Sequence, residues 1–129
     1  MRYRFPVDVR WADLDPYRHL NHSAYLSYCE AARIAALDEV GFGMRRLSDL
    51  GFQIVIVGVD ARWHKPALEN MAVVVETEVE EVGRVRSTWR QRMFHGDDLL
   101  FEASVTAAFT DLDGRPRRGP EGFVEAFGG

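Results

Sequence analysis

The chain opens with a period-two pattern that predicts a β-strand from Tyr3 to Trp11. One face of this segment carries Phe5, Val7, Val9 and Trp11. Alternation of this kind is typical of a strand with one buried face. A loop broken by Pro16 is expected from Asp13 to Leu20.

From His22 to about Val40 the apolar residues recur with helical spacing, and Gly41 and Gly43 end the predicted helix. Its early polar residues, together with Asp38, fall within an arc of roughly 140° around the helix axis. They are Ser27, Glu30, Arg33 and Asp38. The remaining apolar arc is too wide for a flat surface, so we expect a curved sheet to wrap this helix.

A further helical turn is predicted from Met44 to Leu50, and everything up to Leu112 then has the pattern of strands. The four predicted strands are Phe52–His64, Met71–Val82, Arg84–His95 and Leu99–Leu112. The breaks between them are short and rich in Gly, Pro and Asp, which predicts an antiparallel meander, because parallel neighbours need longer crossovers. A short helix or tail is expected after Pro120.

The second and third of these strands are predicted to pair as a hairpin. One face carries Val73, Val75, Thr77 and Val79, matched by Val85, Ser87, Trp89 and Met93. The other face places Glu76, Glu78 and Glu80 opposite Arg84, Arg86, Arg90 and Arg92. Opposite charges on facing strands support this register.

Composition limits the possible classes of protein. With 129 residues, 47% of them hydrophobic, we expect residues 1–129 to form one ordered domain. A net charge of −4 argues against nucleic-acid binding, and no apolar run approaches the length of a membrane span. The first residues lack the apolar stretch of a signal peptide, and Cys29 is the one cysteine, so a cytoplasmic location is expected.

Residues 13–33 read DLDPYRHLNHSAYLSYCEAAR and carry the candidate chemistry. An EF-hand loop starting at Asp13 would need Gly and Glu where Arg18 and Ala24 stand, which excludes that calcium motif. His19 and His22 have no third ligand at zinc spacing, so neither a metal nor a cofactor is expected.

A carboxylate at Asp15 would lie beside helix amides that have no intrahelical acceptor. One such N–H could stabilise an oxyanion on a thioester carbonyl, while the carboxylate attacks the carbonyl or activates water. The alternative is structural: Asn21 would cap the helix, and Asp15 would form a turn before Pro16. Local chemistry leaves the two interpretations balanced.

The segment resembles the signature of the 4-hydroxybenzoyl-CoA thioesterase-like family, D-x-D-x-x-x-H-[VL]-N-N-x-x-Y-L followed by an E-x-A-R helix. The residues that match are Asp13, Asp15, His19, Leu20, Asn21, Tyr25, Leu26, Glu30, Ala32 and Arg33. The later WHKPALENMAVVVETEV resembles the family's strand-to-strand junction. His22 departs from the second Asn of the motif, which alters the polarity of the pocket.

This resemblance implies an α+β hotdog fold, in which a five- or six-stranded antiparallel sheet wraps one long central helix. It implies an acyl-CoA thioesterase that forms a homodimer or homotetramer with active sites at the dimer interface. Asp15 would be the catalytic carboxylate, and the backbone amide at His22 the oxyanion donor. Substrate contacts are expected from His19, Asn21, Tyr25 and Lys65.

Three features of the substrate site stay open. The cations that hold CoA could include Lys65, Arg62, Arg115, Arg117 and Arg118, although each is more often a plain surface charge. Pocket depth depends on where five aromatic side chains point: Tyr25, Tyr28, Phe52, Trp63 and Trp89. Two other functions compete, a hotdog dehydratase or hydratase and a non-catalytic acyl-CoA binding module.

Overall fold

The computed structural model describes residues 2–128 and follows the predicted order of elements. Strand β1 (Arg2–Asp8) leads through a 3₁₀ turn (Trp11–Asp13) to the long helix α1 (Ala24–Glu39) and the short helix α2 (Met44–Asp49). Four strands follow: β2 (Gln53–Trp63), β3 (Ala72–Val82), β4 (Arg86–His95) and β5 (Asp98–Thr110). Helix α3 (Phe123–Ala126) comes after the last strand.

The five strands form one antiparallel sheet in the order β1-β3-β4-β5-β2. The predicted meander is correct for β3, β4 and β5 but wrong for β2, which pairs with β5 at the far edge. The segment after β2 makes no hairpin turn. Instead it bonds to the loop before α1, through Leu20 N–H to Ala67 O at 2.8 Å and a bridge between His19 and Leu68.

The predicted pairing of β3 with β4 is confirmed in its first part, but a bulge between Val79 and Glu81 shifts the register beyond it, and Arg84 lies outside β4. Glu76 lies opposite Arg92, and Glu78 lies opposite Arg90. On the other face Val73, Val75 and Thr77 are buried, together with Ser87, Trp89, Gln91 and Met93. The charged ladder therefore faces outward, and the apolar ladder faces the helix.

Helix α1 lies against the apolar face of the sheet, as its wide apolar arc predicts. Ala32 and Ala36 are each 1% exposed, so the small side chains do allow close packing. Arg33 crosses to the sheet, where its Nη1 donates to Gln91 Oε1 at 2.8 Å. Trp11 was predicted to share the buried face of β1, and this is wrong: β1 ends at Asp8, and the Trp11 side chain is 73% exposed.

Strand β2 is a sheet edge with an unusual surface. Its side chains Val55, Ile56, Val57, Val59 and Trp63 are all between 36% and 49% exposed. Ile56 and Val59 lie opposite the buried Ala107 and Val105, so they share the helix-facing side of the sheet. An apolar edge strand with unpaired backbone groups is a template for pairing with another strand.

Candidate active site

The loop before α1 is closed at both ends by backbone hydrogen bonds. Asn21 N–H donates to Asp13 O at 2.8 Å, and Leu14 and Leu20 form a bridge. Within it Asp15 N–H donates to His19 O at 2.7 Å, and Arg18 takes a positive φ of 63°. A non-glycine residue in this conformation is uncommon and persists when its surroundings hold it. The loop is thus a fixed platform rather than a loose connection.

Asp15 stands inside this platform, and its two carboxylate oxygens differ. Oδ1 accepts the backbone N–H of Tyr17 at 2.8 Å and that of His19 at 3.0 Å. Oδ2 accepts no hydrogen bond from residues 2–128. The carboxylate is half-buried and lines a pocket. One oxygen therefore holds the turn, and the other remains available for chemistry.

Asp13 anchors the platform to the helix. Tyr28 Oη donates to Asp13 Oδ2 at 2.7 Å, and Arg10 Nε donates to the same oxygen at 3.1 Å. These bonds, first from Arg10 and then from Tyr28, lower the pKa of the Asp13 carboxyl. Tyr28 Oη also accepts the Arg10 backbone N–H at 3.3 Å. Asp13 supports the loop and does not line the pocket.

The backbone N–H groups at the start of helix α1 differ in whether they have an acceptor. Asn21 Oδ1 accepts the N–H of Ser23 at 3.0 Å and its hydroxyl at 2.9 Å, and Asn21 O accepts Ala24 N–H at 2.9 Å. The His22 backbone N–H, in contrast, donates to no acceptor within the described part of the chain. Trp63 Nε1 donates to His22 O at 3.3 Å and ties this turn to β2.

A pocket of about 300 Å³ lies between this loop, the helix start and the end of β2. Of the six predicted site residues, it brings together all but Asn21, namely Asp15, His19, His22, Tyr25 and Lys65. Leu20, Trp63, His64 and Pro66 complete the lining. Asn21 is the exception, because its carboxamide oxygen binds the N–H and the hydroxyl of Ser23 just before the helix instead of lining the pocket. A substrate contact from Asn21 stays a prediction.

The aromatic side chains divide between pocket and core. Tyr25 and Trp63 line the pocket in an edge-to-face arrangement with ring centroids 6.5 Å apart. Tyr25 Oη is held in place because it accepts Ala67 N–H at 3.0 Å. Phe52 and Trp89 pack in the core, and Tyr28 binds Asp13. The β2 edge therefore supplies an aromatic wall that its place in the sequence did not reveal.

The rim of the pocket is charged. Lys65 Nζ lies 3.1 Å from Asp98 Oδ1, and His64 Nε2 lies 2.8 Å from Glu102 Oε2. The hydrogen bond from His64 lowers the pKa of the Glu102 carboxyl. Of the other predicted CoA ligands, Arg62 lines a separate surface depression with Asp60 and Glu80.

Among residues 2–128, no cluster of three or more His, Cys, Asp or Glu side chains is arranged to hold a metal ion. None of the helices in this part of the chain combines the length and the apolar character that crossing a membrane requires.

Known proteins place this site in context. The family model described as the thioesterase-like superfamily matches residues 9–127. An acyl-CoA thioesterase, YbgC, of Haemophilus influenzae is 30% identical over 113 residues, which cover 85% of this chain and 82% of the relative. The chloroplastic acyl-acyl carrier protein thioesterase ATL2 of Arabidopsis thaliana is 26% identical over 128 residues, 98% of this chain and 68% of the relative.

Solved structures agree with the sequence comparison. A thioesterase from Thermus thermophilus, crystallised with coenzyme A and Zn, superimposes with a TM-score of 0.83 at 26% identity, covering 97% of this chain and 90% of its own. The predicted family, the hotdog fold and an enzyme of the thioester hydrolase class are therefore confirmed. The chain belongs to the thioesterase-like superfamily.

Proposed function

We propose that this protein hydrolyses acyl-CoA thioesters, with Asp15 as the catalytic carboxylate and the His22 backbone N–H as the oxyanion donor. The observation that carries the proposal is the state of the two Asp15 oxygens. Oδ1 is held by the N–H groups of Tyr17 and His19, while Oδ2 has no internal partner among the described residues. A carboxylate fixed in this way is pre-organised for attack or proton transfer.

The reaction has two routes that use the same residues. In one, Asp15 Oδ2 attacks the carbonyl carbon, thiolate leaves, and water then cleaves the acyl anhydride. In the other, Oδ2 takes a proton from a water that attacks the carbonyl carbon directly. The tetrahedral intermediate then collapses to the free acid as the CoA thiolate leaves and takes up the proton held by Asp15. Both routes place negative charge on the carbonyl oxygen, where the unpaired His22 N–H would stabilise it.

CoA is the proposed carrier of the acyl group. The structural relative from Thermus thermophilus was crystallised with coenzyme A, and the relative from Haemophilus influenzae is an acyl-CoA thioesterase. Lys65 offers a cation at the rim of the pocket, and His19, Tyr25 and Trp63 would surround the thioester end of the substrate. Because ATL2 is an acyl-acyl carrier protein thioesterase, acyl groups carried on the pantetheine of a carrier protein are the second substrate class to compare with acyl-CoA.

We also propose that the protein works as a homodimer joined through β2, with a homotetramer built from such dimers as the larger option. Val55, Ile56, Val57 and Val59 expose apolar surface on an unpaired strand edge, which a second copy of the same strand would cover. Trp63 lies on this strand and lines the pocket, so the partner would complete the pocket wall. A cytoplasmic site of action is proposed with it, consistent with the unpaired Cys29.

The decisive experiment measures CoA release in a thiol-detecting assay across short-, medium- and long-chain and aryl acyl-CoA substrates. The wild-type protein should release CoA, and Asp15→Asn should lower the rate at least about a hundredfold. Asn keeps an oxygen that accepts the N–H groups of Tyr17 and His19, so the variant should unfold at the same urea concentration as the wild type. Near-normal turnover in Asp15→Asn would refute the assignment of Asp15.

Other outcomes would point to the competing functions. Tight acyl-CoA binding without release of CoA at any chain length would identify a binding module. Chromatographic detection of a hydrated or dehydrated acyl-CoA would identify a hydratase or dehydratase.

The dimer is tested by mass. Light scattering should give twice the 14.7 kDa chain mass for a dimer, or twice the dimer mass for a tetramer. Val57→Lys should shift the protein towards monomer. Trp11→Lys replaces an exposed apolar residue away from β2 and should leave the mass unchanged. A monomeric wild-type protein would refute the β2 interface.

A further inference from the structure

Within one chain the mouth of the pocket is short of unpaired cations. CoA carries phosphate groups, which proteins hold with Arg or Lys. Lys65 is paired with Asp98, and the Nη2 of Arg18 lies 2.6 Å from Glu69 Oε1. An exposed ion pair is weak, so Lys65 can turn to one phosphate, but the other phosphate groups of CoA need positive charge from elsewhere.

Arg117 can supply such a charge, but it lies beside the start of β2 in its own chain, whereas the pocket lies at the end of that strand. Its guanidinium lies 3.9 Å from the centre of the Phe52 ring, and its Nη1 donates to Gly51 O at 3.3 Å. No carboxylate pairs with it among residues 2–128. Since β2 has 11 residues and a strand rises about 3.3 Å per residue, Arg117 is about 30 Å from the Trp63 end.

The proposed dimer brings these two ends together. The exposed apolar side chains of β2 centre on Val57, and a two-fold axis there pairs the two copies of β2 in antiparallel fashion. The strand start of one chain, at Gly51 and Phe52, then lies beside the strand end of the other, at Trp63. Phe52 precedes the helix-facing Ile54 by two residues, so its ring is on the pocket side of the sheet.

We propose that Arg117 acts in trans, binding a phosphate group of the CoA whose thioester lies against Asp15 of the partner subunit. This inference rests on the proposed acyl-CoA hydrolysis and on the β2 dimer. The contact with the Phe52 ring and the hydrogen bond to Gly51 O hold the guanidinium and leave its other N–H groups for a phosphate, which Arg can bind bidentately. The ligand recognised is the phosphorylated part of CoA, not the acyl group.

Binding of CoA itself is the first test, because it does not require turnover. Trp63 lines the pocket, so its fluorescence should report CoA and phosphate-free pantetheine separately. Arg117→Gln should weaken CoA binding about tenfold or more and leave pantetheine binding unchanged. Arg4→Gln removes an exposed arginine on β1, the opposite edge of the sheet, and should change neither affinity.

The same effect should appear in the kinetics as a difference in KM between acyl-CoA and acyl-pantetheine. Arg117→Gln should raise KM for acyl-CoA by a similar factor, with KM for the matching acyl-pantetheine unchanged. A general disturbance of the fold would raise both. If CoA binds equally well to the wild type and Arg117→Gln, the inference is overturned, even if the protein hydrolyses acyl-CoA as proposed.

A mixed dimer decides between action in trans and in cis. Differently tagged Asp15→Asn and Arg117→Glu chains are co-expressed, and the heterodimer is isolated and assayed at low acyl-CoA. In trans, one of its two sites has both Asp15 and Arg117 intact, so about half of the wild-type activity should return. In cis, neither site is intact, and activity no higher than that of the Arg117→Glu homodimer would overturn the proposal.

Discussion

The hydrogen bond between Tyr28 and Asp13 should contribute more to the free energy of unfolding than most other polar contacts of the active-site loop. Tyr28 is 7% exposed, and its hydroxyl donates to Asp13 Oδ2 at 2.7 Å. Tyr28→Phe removes this donor and keeps the buried ring. A hydrogen bond to a charged group contributes about 1.5–3 kcal/mol, and Arg10 remains as a second partner for the carboxylate. We therefore expect a loss of about 1.5–2 kcal/mol in the free energy of unfolding.

The dependence of this loss on pH follows from the lowered pKa of Asp13, whose causes are the hydrogen bonds from Arg10 and Tyr28. Because the pKa is lower in the folded protein, the stabilisation is fully present above the unfolded pKa of about 3.9. It disappears as the pH falls through the still lower folded pKa. Wild type and Tyr28→Phe should therefore differ at pH 7 and converge in acid.

Urea unfolding at pH 7, followed by circular dichroism at one fixed protein concentration, measures the loss. A double-mutant cycle with Asp13→Asn isolates the pair, and the coupling free energy should exceed about 0.5 kcal/mol. The reasoning fails if Tyr28→Phe changes the free energy of unfolding by less than about 0.3 kcal/mol. It also fails if the difference between wild type and variant is the same in strong acid as at pH 7.

Three further variants or treatments test other contacts. Trp63→Phe keeps the aromatic wall but removes the N–H that holds His22 O, so kcat should fall about threefold to tenfold with little change in urea midpoint; unchanged kcat would contradict this role. Gln91→Leu leaves the half-buried Arg33 without its acceptor and should lower the free energy of unfolding by about 2–4 kcal/mol, measured in urea. Burial raises the pKa of the Cys29 thiol to about 12, so iodoacetamide should label it only after unfolding, as mass spectrometry would detect.

Much of the fold could be predicted from local patterns. The long helix α1 is predictable because apolar residues that recur at helical spacing over a wide arc are compatible with few other structures. The alanines that allow close packing, Ala32 and Ala36, are buried as expected. The β3–β4 register was fixed by charge complementarity between Glu76 and Arg92. Both patterns involve residues that are near each other in the sequence, so the helix and the hairpin can be predicted from the sequence alone.

The place of β2 could not be predicted in the same way. Its pairing with β5 is decided by contacts between residues far apart in the chain, such as Gln53 with Thr110. The Lys65-Pro66 break has the composition of a hairpin turn, yet the backbone that follows it bonds to the loop at Leu20. As a result the exposed edge, and the part that Trp63 plays in the pocket, came only from the structure.

At Asp15 the structural and the catalytic interpretations, which looked like alternatives in the sequence, describe two oxygens of one carboxylate. The turn uses Oδ1, through the N–H groups of Tyr17 and His19. Oδ2 takes no part in the turn and is the oxygen proposed for the chemistry. Asp15→Ala would remove both functions at once, and a loss of activity would then have two explanations. Asp15→Asn keeps the acceptor and removes the charge, so its rate reports the chemistry alone.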